Sequence, residues 1–378
     1  MKVLHLFSDW KWTGPAEPVL SLCENLALEG VDVTLAYRKT PIDFFPERTV
    51  DKEARKRGIQ SYEGLRLNRY FSARDWWHDL TSFNTYVERE KVDIVHTHLS
   101  HDYFTAIAAL SFHGQRPLII RTDHKRDGLP VNFFMSWAMS KTEGLITYSK
   151  RLAELDSKHF HFPPERLRIV PPAIKSYTGD VRSLKKELGI APDECVIGVI
   201  GRLKPDRGYD IILKAFALLR RRIDKVRLVI VGRSSQIETA VMQPLRELGI
   251  EKDVVIAGYR IDDYFSMIHT FDLYIMMRAG SDGSGRALRE VLSMGKPAIV
   301  SDKGMLPDLV EDEKTGFVSS WDPEDLAMKM ERLVTDPELR KKYGDNARQR
   351  AETEWNFGLQ ARAVKGFYES LLAMGKRT

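Results

Sequence analysis

Cysteine is scarce in this sequence, with only Cys23 and Cys195 among 378 residues. So few thiols exclude the disulfide framework of a small secreted domain. They also argue against a structural zinc site, which needs a cluster of ligands. We interpret both cysteines as buried thiols of a protein in a reducing compartment.

Long hydrophobic runs are also missing. No stretch of about 18 apolar residues occurs, and the N-terminal apolar run at residues 3–7 is broken by Ser8 and Asp9, too early for a signal peptide. The net charge of +5 is too small to predict nucleic-acid binding, although it suits phosphorylated ligands or an anionic membrane surface. The sequence therefore predicts a soluble, cytoplasmic protein. Any membrane contact is expected to be peripheral, at the inner membrane face.

What the sequence does contain is a regular alternation of short apolar runs and helical patterns, which is typical of parallel βαβ units. In the first half we predict strands at 3–7, 33–36, 94–96, 118–121, 145–147 and 168–170. In the second half we predict strands at 196–200, 227–231, 254–257, 273–276, 298–301 and 317–319, and only helices from Pro323 onwards. The predicted fold class is α/β, with Rossmann-like, doubly wound domains.

A break separates the two halves. Pro171 and Pro172 cannot continue a strand ladder, and we place a linker near residues 172–185. We expect one domain at 1–172, a second at 185–355, and a C-terminal helix at 356–378 that returns to the first domain. Because ligand loops follow the carboxyl ends of parallel strands, we expect those of both domains to face one central cleft.

Four motifs of the second half occur in a characteristic order and spacing. They are VIGRLKPDRG at 199–208, RLVIVG at 227–232, GSDGSGRALREVLSMGKP at 280–297 and KTGF at 314–317. These motifs resemble the retaining GT-B glycosyltransferases of family 4. In the first half, DIVHTH at 93–98 and RTDH at 121–124 agree with the same family more weakly.

The resemblance implies a fold and a reaction. It implies a GT-B enzyme with an acceptor-side N-terminal domain and a nucleotide-sugar-binding C-terminal domain. Such an enzyme moves a hexose-type sugar from a nucleotide-diphosphate donor to a glycan or lipid-linked acceptor, in surface polysaccharide or lipopolysaccharide synthesis. The family works without a metal, so we expect neither a metal nor another cofactor, and no nucleic-acid partner.

The leaving diphosphate gains negative charge as the glycosidic bond breaks. Without a metal, cations and backbone amides held in place beforehand must stabilise that charge. Arg202, which follows Gly201, and Arg207 match the basic pair of the family and are our catalytic candidates. The family usually has Lys at the second position, and Arg207 keeps the charge on a planar fork suited to phosphate. Two solvated loop arginines are the structural alternative.

A glycine-rich loop at 280–285 leads into a predicted helix, and the free N–H groups at the start of that helix suit a phosphate. We assign Gly283, Ser284 and Gly285 to donor binding. Glu290 matches the family's glutamate that accepts hydrogen bonds from the ribose hydroxyls. Asp282 takes the place of the first of two glutamates, and we expect it to position the sugar rather than act as a nucleophile.

Further donor contacts are expected at loops after other strands. Gly14 precedes the first helix, and Pro15 replaces the second glycine of the family's loop and is expected at the first helical position. The family holds the base largely through backbone where this chain has Tyr259 and Arg260. The remaining assigned residues are Gly201, Gly232 and Arg233, the last of which could equally face solvent.

His124 follows a predicted strand at the place where the family carries a histidine near the reacting sugar, and we assign it a catalytic role. His96 and His98 lie close together at another strand end, and we expect them to point to opposite faces of the sheet. Together with His101 they suggest metal ligands. Since no carboxylate cluster accompanies them, we predict no metal site.

Two stretches, 65–77 and 131–139, mix aromatic residues with neighbouring arginines or lysines. They suit a membrane surface or a lipid-linked acceptor, and they equally suit helices packed on the sheet with the basic side chains outward. Two other functions remain open. Pro15, Asp282 and Arg233 depart from the family pattern, which would fit a non-catalytic sugar-nucleotide-binding subunit. A GT-B sugar-nucleotide epimerase shares the two-domain architecture.

Overall fold

The computed structural model describes residues 1–70, 72–111, 116–175, 177–280 and 284–375. Contacts within the chain divide these residues into two units. The first comprises the described residues of 1–173 and 357–375 together with Ser284, and the second comprises those of 174–280 and 285–356. Each unit is built on a parallel sheet, which confirms the predicted α/β class with two Rossmann-like domains.

The described part of the first unit contains seven strands. They are β1 (Lys2–Phe7), β2 (Asp32–Tyr37), β3 (Ser61–Tyr62), β4 (Ile94–Thr97), β5 (Leu118–Thr122), β6 (Gly144–Thr147) and β7 (Leu167–Ile169). Their order across the sheet is β3-β2-β1-β4-β5-β6-β7, and all neighbours pair in parallel. The helices of this part of the chain are α1 (Ala16–Leu28), α2 (Val50–Lys56), α3 (Ala73–Glu90), α4 (Ser100–Leu110), α5 (Phe133–Met139) and α6 (Lys150–Phe160).

The described part of the second unit contains six strands. They are β8 (Cys195–Ile200), β9 (Val226–Val231), β10 (Val254–Gly258), β11 (Leu273–Met276), β12 (Ala298–Ser301) and β13 (Gly316–Ser319), in the parallel order β10-β9-β8-β11-β12-β13. The remaining helices are α7 (Tyr209–Arg220), α8 (Gln243–Leu248), α9 (Tyr264–Thr270), α10 (Arg286–Ser293), α11 (Leu306–Leu309), α12 (Pro323–Thr335), α13 (Pro337–Glu354) and α14 (Phe357–Gly375).

The core of each unit lies on both faces of its sheet. In the first unit, Leu20, Cys23 and Leu26 of α1 are fully buried, and α14 packs beside them through Val364 and Phe367. Helix α14 therefore completes the hydrophobic core of the unit that contains the N-terminus. In the second unit, α7 and α12 pack together on one face of the sheet.

The strands agree closely with the apolar runs of the sequence. All twelve predicted strands are present, and their ends differ from the predicted ends by at most one residue. The exception is β3, whose two residues, Ser61 and Tyr62, form no apolar run that could have revealed it. Among the described residues, no helix combines the length and the apolar composition needed to cross a membrane.

Each sheet has one place where the strand order reverses. In the first sheet this point lies between β1 and β4, and in the second it lies between β8 and β11. In open parallel sheets, ligands bind outside the carboxyl ends of the strands at such switch points. The loops that follow these four strands are therefore where a site is expected.

The backbone after β8 leaves no room for a side chain on the residue that follows β9. Gly232, just after β9, has φ of +150°, and a Cβ atom placed on it would lie 1.8 Å from the carbonyl oxygen of Gly201. Any side chain at position 232 would force the two loops apart, so only glycine fits there.

We expect Gly232→Ala to lower the free energy of unfolding of the second unit by about 3 kcal/mol, because the methyl group meets backbone that cannot rotate away. Urea unfolding of the full chain measures this cost. Gly249→Ala in the same unit is the control, since Gly249 also has a positive φ of +68° but open space around it. This control should lose only about 1 kcal/mol. Equal losses in the two variants would contradict the steric explanation.

Candidate functional site

Three neighbouring strands of the second unit end in glycine backbone. The Gly201 N–H donates to the Val231 carbonyl at 2.9 Å, and the Gly232 N–H donates to the Gly258 carbonyl at 2.8 Å. Because no side chains intervene, the carboxyl ends of β8, β9 and β10 form a surface on which a ligand can approach the main chain.

Arg202 and Arg207 lie in the segment that links β8 to α7. Arg202 is exposed, with no side-chain hydrogen bond or ion pair to a described residue. The largely buried Arg207 donates from Nη1 to the carbonyl oxygen of Ala279, in the loop after β11. This bond joins the two loops that flank the switch point of the second sheet and fixes the position of the Arg207 guanidinium.

Beyond β9 and β10, the side chains differ in how strongly the protein holds them. The exposed Arg233 guanidinium stacks over the ring of Tyr259, 4.5 Å from its centroid, and Tyr259 itself is 58% exposed. The Arg260 guanidinium, in contrast, donates to the Ala257 carbonyl at 2.9 Å, to Glu187 at 2.9 Å and to Asp263 at 2.7 Å. Arg233 and Tyr259 thus present a flat surface to solvent, whereas Arg260 ties its own loop together.

The helix after β11 carries a held carboxylate. Gly285 precedes α10 with φ of +56°. On α10, Glu290 accepts a hydrogen bond from Tyr264 Oη at 2.7 Å and another from Arg286 Nε at 2.8 Å, and it is only 6% exposed. Both carboxylate oxygens are thereby oriented. Ser284 is buried, and the other two assigned residues of this loop, Asp282 and Gly283, lie outside the described residues.

Tyr264 is a site residue that sequence reasoning missed. It begins α9, and no feature of the sequence connects it with Glu290. Burial, followed by the neighbouring Glu290 charge, raises the pKa of Tyr264 well above its ordinary value. The phenol therefore keeps its proton and always donates to the carboxylate.

In the first unit, the loop after β1 meets the start of α1. Gly14 is exposed, and α1 begins at Ala16, with Pro15 as the residue that caps it. The proline thus stands one residue earlier than the sequence predicts. The carbonyl of Thr13 accepts from the Ala16 N–H at 3.0 Å, which closes the turn into the helix.

The expectation that His96 and His98 point to opposite faces is wrong. Their ring centroids lie 4.3 Å apart, because residues two apart on a strand point to the same side. His5 of β1 joins them, and a ligand nitrogen from each of the three rings lies within 4.8 Å of the others, so this group could hold a metal ion. Each of His96 and His98 nevertheless uses both ring nitrogens in hydrogen bonds within the protein.

His124 is fully engaged by its neighbours. Its Nε2 lies 3.1 Å from His98 Nδ1, and its Nδ1 lies 2.6 Å from Tyr148 Oη. A hydrogen bond from the His124 ring to a sugar would require one of these bonds to open. The same side chains, with Thr122 and apolar residues of α1 and α14, line a small pocket within the first unit.

Asp123, the residue before His124, forms a buried pair of carboxyl groups with Asp156. Asp123 accepts from the Lys125 N–H at 2.8 Å, and Asp156 accepts from the Leu129 N–H at 3.0 Å. The second oxygen of each carboxylate is buried and receives no N–H or O–H donor from any residue that the structure describes. Burial, and then the charge of Asp156, raises the pKa of Asp123 to about 7, and burial also raises the pKa of Asp156. Since each carboxyl acts on the other as a hydrogen-bond partner, we expect the two to share one proton, which would satisfy both oxygens.

Comparison with known proteins agrees with this architecture. The family model described as glycosyl transferases group 1 matches residues 180–350, and the model of glycosyltransferase family 4 matches residues 13–176. Together the two models account for most of the chain. The chain belongs to the group 1 glycosyltransferases.

Relatives and solved structures extend the comparison. A D-inositol 3-phosphate glycosyltransferase of Segniliparus rotundus is 27% identical over 195 residues, which is 50% of this chain and 43% of that relative. The chain thus matches less than half the length of this family member. A crystal structure of a Rickettsia africae glycosyltransferase has a TM-score of 0.82 at 16% identity, covering 98% of each chain. The Anabaena protein HepE in complex with UDP has a TM-score of 0.78 at 17% identity, covering 98% of this chain and 100% of that one. These two likenesses concern the fold.

The acid pair predicts a pH-dependent stability. Because the folded pKa of Asp123 is raised, the folded protein keeps a proton that the unfolded chain releases above about pH 4. The stabilisation from this proton is therefore lost as pH rises towards about 7. In Asp123→Asn, the amide group replaces the shared proton at every pH.

We expect Asp123→Asn to raise Tm at pH 8 by about 2–4 °C relative to the parent chain, and to have little effect at pH 5. Thermal unfolding followed by circular dichroism at the two pH values measures the difference. Asp43→Asn, at an exposed aspartate, is the control and should change Tm at neither pH. A change of Tm that is the same at pH 5 and pH 8 would rule out the shared proton.

Proposed function

We propose that this chain transfers a hexose-type sugar from a nucleotide-diphosphate donor to a glycan or lipid-linked acceptor, with retention of configuration and without a metal. The observation that carries this proposal is the hydrogen bond from Arg207 to the Ala279 carbonyl. It holds a guanidinium at the switch point of the second sheet, beside strand ends lined by glycine backbone. A diphosphate needs both a cation held in place and main-chain N–H groups that it can approach.

Arg202 and Arg207 serve the leaving group in this proposal. A diphosphate that departs without a metal needs cationic and N–H donors already in place, since reorganising them during the reaction would add to the barrier. Arg207 is fixed by its own hydrogen bond, and the exposed Arg202 can turn towards the phosphates. The N–H groups at the N-terminus of α10 and of Gly285 add main-chain hydrogen-bond donors.

The nucleoside is held beside the diphosphate. Glu290 has its two oxygens oriented by Tyr264 and Arg286, and each oxygen retains a lone pair for a ribose hydroxyl. The exposed Arg233–Tyr259 stack offers a flat surface for the base, with further contacts from backbone near Gly232 and Gly258. Because Arg260 is bound by Glu187 and Asp263, we assign it the role of shaping this loop rather than contacting the donor.

Retention follows when the acceptor hydroxyl arrives on the face from which the diphosphate departs. We propose an oxocarbenium-like transition state in which the leaving phosphate accepts the proton of the acceptor hydroxyl. The mechanism then needs no protein nucleophile, in contrast to the paired carboxylates of retaining glycosidases. The chain supplies charge, donors and geometry rather than a covalent intermediate.

The surface of the first unit supports a lipid-linked acceptor. Helix α5 buries Met135, Ala138 and Met139, while Phe133 and Phe134 at its start are 79% and 68% exposed. The inner face of α5 therefore already packs on the unit, and its aromatic residues are left outside it. The exposed Lys125 precedes this helix, and aromatic residues near a basic side chain suit an anionic membrane interface.

A panel of UDP-, GDP- and ADP-sugars tests the reaction class. We expect one donor to stabilise the protein against heat and to undergo slow hydrolysis to the nucleotide in the presence of EDTA. Arg207→Ala should lower the turnover of that donor by about 10²- to 10³-fold, and Glu290→Ala should mainly weaken nucleotide binding measured by calorimetry. Arg222→Ala, at an exposed arginine paired with Glu331, is the control for loss of positive charge.

The outcomes of the panel separate the possible functions. Stabilisation by a nucleotide without any release, even with glycan and lipid acceptors, would favour a non-catalytic binding subunit. Release that stops in EDTA and returns with Mg²⁺ would refute metal independence. A fully active Arg207→Ala variant would overturn the assignment of this residue to the leaving group.

Membrane contact has a separate test. The double variant Phe133→Ser/Phe134→Ser should co-sediment with phosphatidylglycerol vesicles at least about tenfold more weakly than the parent chain, because two apolar side chains no longer enter the interface. Met328→Ser, at an exposed apolar residue of the second unit, should leave sedimentation unchanged. Equal binding by the parent chain and the double variant would exclude α5 as the contact.

A further inference from the structure

The carboxylate of Asp102 holds the two loops that flank the switch point of the first sheet. Asp102, the third residue of α4, accepts through Oδ2 from the Ser8 N–H at 2.9 Å and through Oδ1 from the His98 N–H at 3.1 Å. The Leu99 N–H donates to both oxygens, at 2.9 and 3.1 Å. Ser8 follows β1, whereas His98 and Leu99 follow β4. We call this group of hydrogen bonds the Asp102 clamp.

A buried arginine balances the charge of the clamp. Arg121 of β5 places Nη1 3.9 Å from Asp102 Oδ1, and the same nitrogen donates to the Leu99 carbonyl oxygen at 2.6 Å. Asp102 and Arg121 are only 0% and 1% exposed. A buried carboxylate is costly unless it is paired and hydrogen-bonded, and here both oxygens receive N–H donors and a cation lies beside them. Three neighbouring strands, β1, β4 and β5, therefore end in one compensated polar cluster.

Capping of α4 explains only part of this arrangement. An acidic side chain at the third position of a helix commonly accepts from the N–H of the residue before the helix, as Asp102 does from Leu99. Ser8, in contrast, lies 94 residues from Asp102 in the sequence and belongs to another loop. Its bond to Asp102 ties the loop after β1 to the start of α4, which capping alone does not require.

The loop that the clamp holds is also fixed further along. Asp9 accepts from Arg69 Nη1 at 3.1 Å, and the Trp10 carbonyl accepts from the Val50 N–H at 3.0 Å. The loop then reaches the exposed Gly14, at which we expect a donor contact. Its main chain is therefore held in one arrangement before a ligand arrives, and the clamp joins that arrangement to the loop after β4.

We propose that Asp102 is a positioning residue for sugar transfer, because it fixes the loops after β1 and β4 relative to each other at the switch point, where open parallel sheets bind their ligands. Since its side chain is completely buried, it acts through the main chain of these loops and not by contact with a substrate. In the second unit, the bond from Arg207 to the Ala279 carbonyl joins the two flanking loops in the same way. The catalytic part of this inference rests on the proposed function, and the clamp itself does not.

Amide hydrogen exchange tests the clamp without any substrate. In the parent chain we expect the Ser8, His98 and Leu99 amides to exchange slowly, since all three donate to a buried acceptor. Asp102→Asn leaves one acceptor oxygen, which can serve the loop after β1 or the loop after β4 but not both. We therefore expect exchange at least about tenfold faster at Ser8 or at His98, measured residue by residue by NMR of the full chain. Unchanged exchange at both would overturn the clamp.

A second variant covers a failure of the first to fold. Asp102→Asn leaves Arg121 as a buried cation without its counter-charge, which can prevent folding. Asp102→Asn/Arg121→Gln removes this charge as well, and the exchange of Ser8 and His98 is read in the same way. If neither variant folds, the parent chain decides. A Ser8 amide that exchanges as fast as an unprotected one would overturn the clamp, and slow exchange would support it.

The positioning role has an activity test. With the best donor of the panel, Asp102→Asn should lower kcat at least about tenfold, because a small displacement of a loop beside the reacting groups is costly. The Kd of the nucleotide, measured by calorimetry, should change less than about twofold, since its main proposed contacts, such as Glu290, lie in the second unit. A variant that merely unfolds more easily would not separate kcat from nucleotide affinity in this way.

Asp79→Asn is the matched control. Asp79 of α3 is also completely buried and also accepts from main-chain N–H groups, those of Arg66 at 2.6 Å and Leu67 at 2.9 Å. This segment follows the edge strand β3, away from the switch point, so Asp79→Asn should lower Tm without changing kcat. Unchanged kcat in Asp102→Asn would overturn the positioning role, as would an equal fall of kcat in both variants or a matching loss of nucleotide affinity. Absence of transfer by the parent chain would refute the proposed function and leave the exchange result standing.

Discussion

Parallel strand pairing is the constraint on which the rest of this structure depends. Because every strand in a sheet runs the same way, all the loops at the carboxyl edge come from different, distant parts of the chain. His5, His98, His124 and Tyr148 meet for this reason, and so do Arg207 and Ala279. The hydrophobic cores hold the sheets in place, and the loops at their edges carry the chemistry.

The two edges handle polar groups in opposite ways. In the second unit, glycines leave backbone accessible and the exposed Arg202 and Arg233 keep their charge in solvent, which suits a charged ligand. In the first unit, burial lowers the pKa of His5 and of His124, and both rings hydrogen-bond to His98. Burying a charge is costly, whereas burying neutral rings that hydrogen-bond to one another costs less. Charge is therefore exposed to solvent in the second unit, whereas the histidines of the first unit form directed hydrogen bonds.

Where sequence reasoning succeeded, the signal was local. Apolar runs predicted the strands to within one residue, because a strand buried on both faces is apolar at most of its positions. The strand β3 was missed because two half-buried residues at a sheet edge leave no such pattern. The mistake over His96 and His98 was one of geometry, since residues two apart share a face of a strand.

By itself, the sequence determined the alternation of strands and helices, the family and the residues that follow each strand, because these depend on neighbours along the chain. Only the tertiary structure decided what those residues do with their polar atoms. It paired Glu290 with Tyr264, gave both ring nitrogens of His124 hydrogen-bond partners, and buried the carboxyl of Asp123 beside that of Asp156. The two members of each of these pairs lie 24 to 33 residues apart in the sequence. No local sequence pattern can predict a hydrogen bond that forms only once the sheet has brought distant residues together.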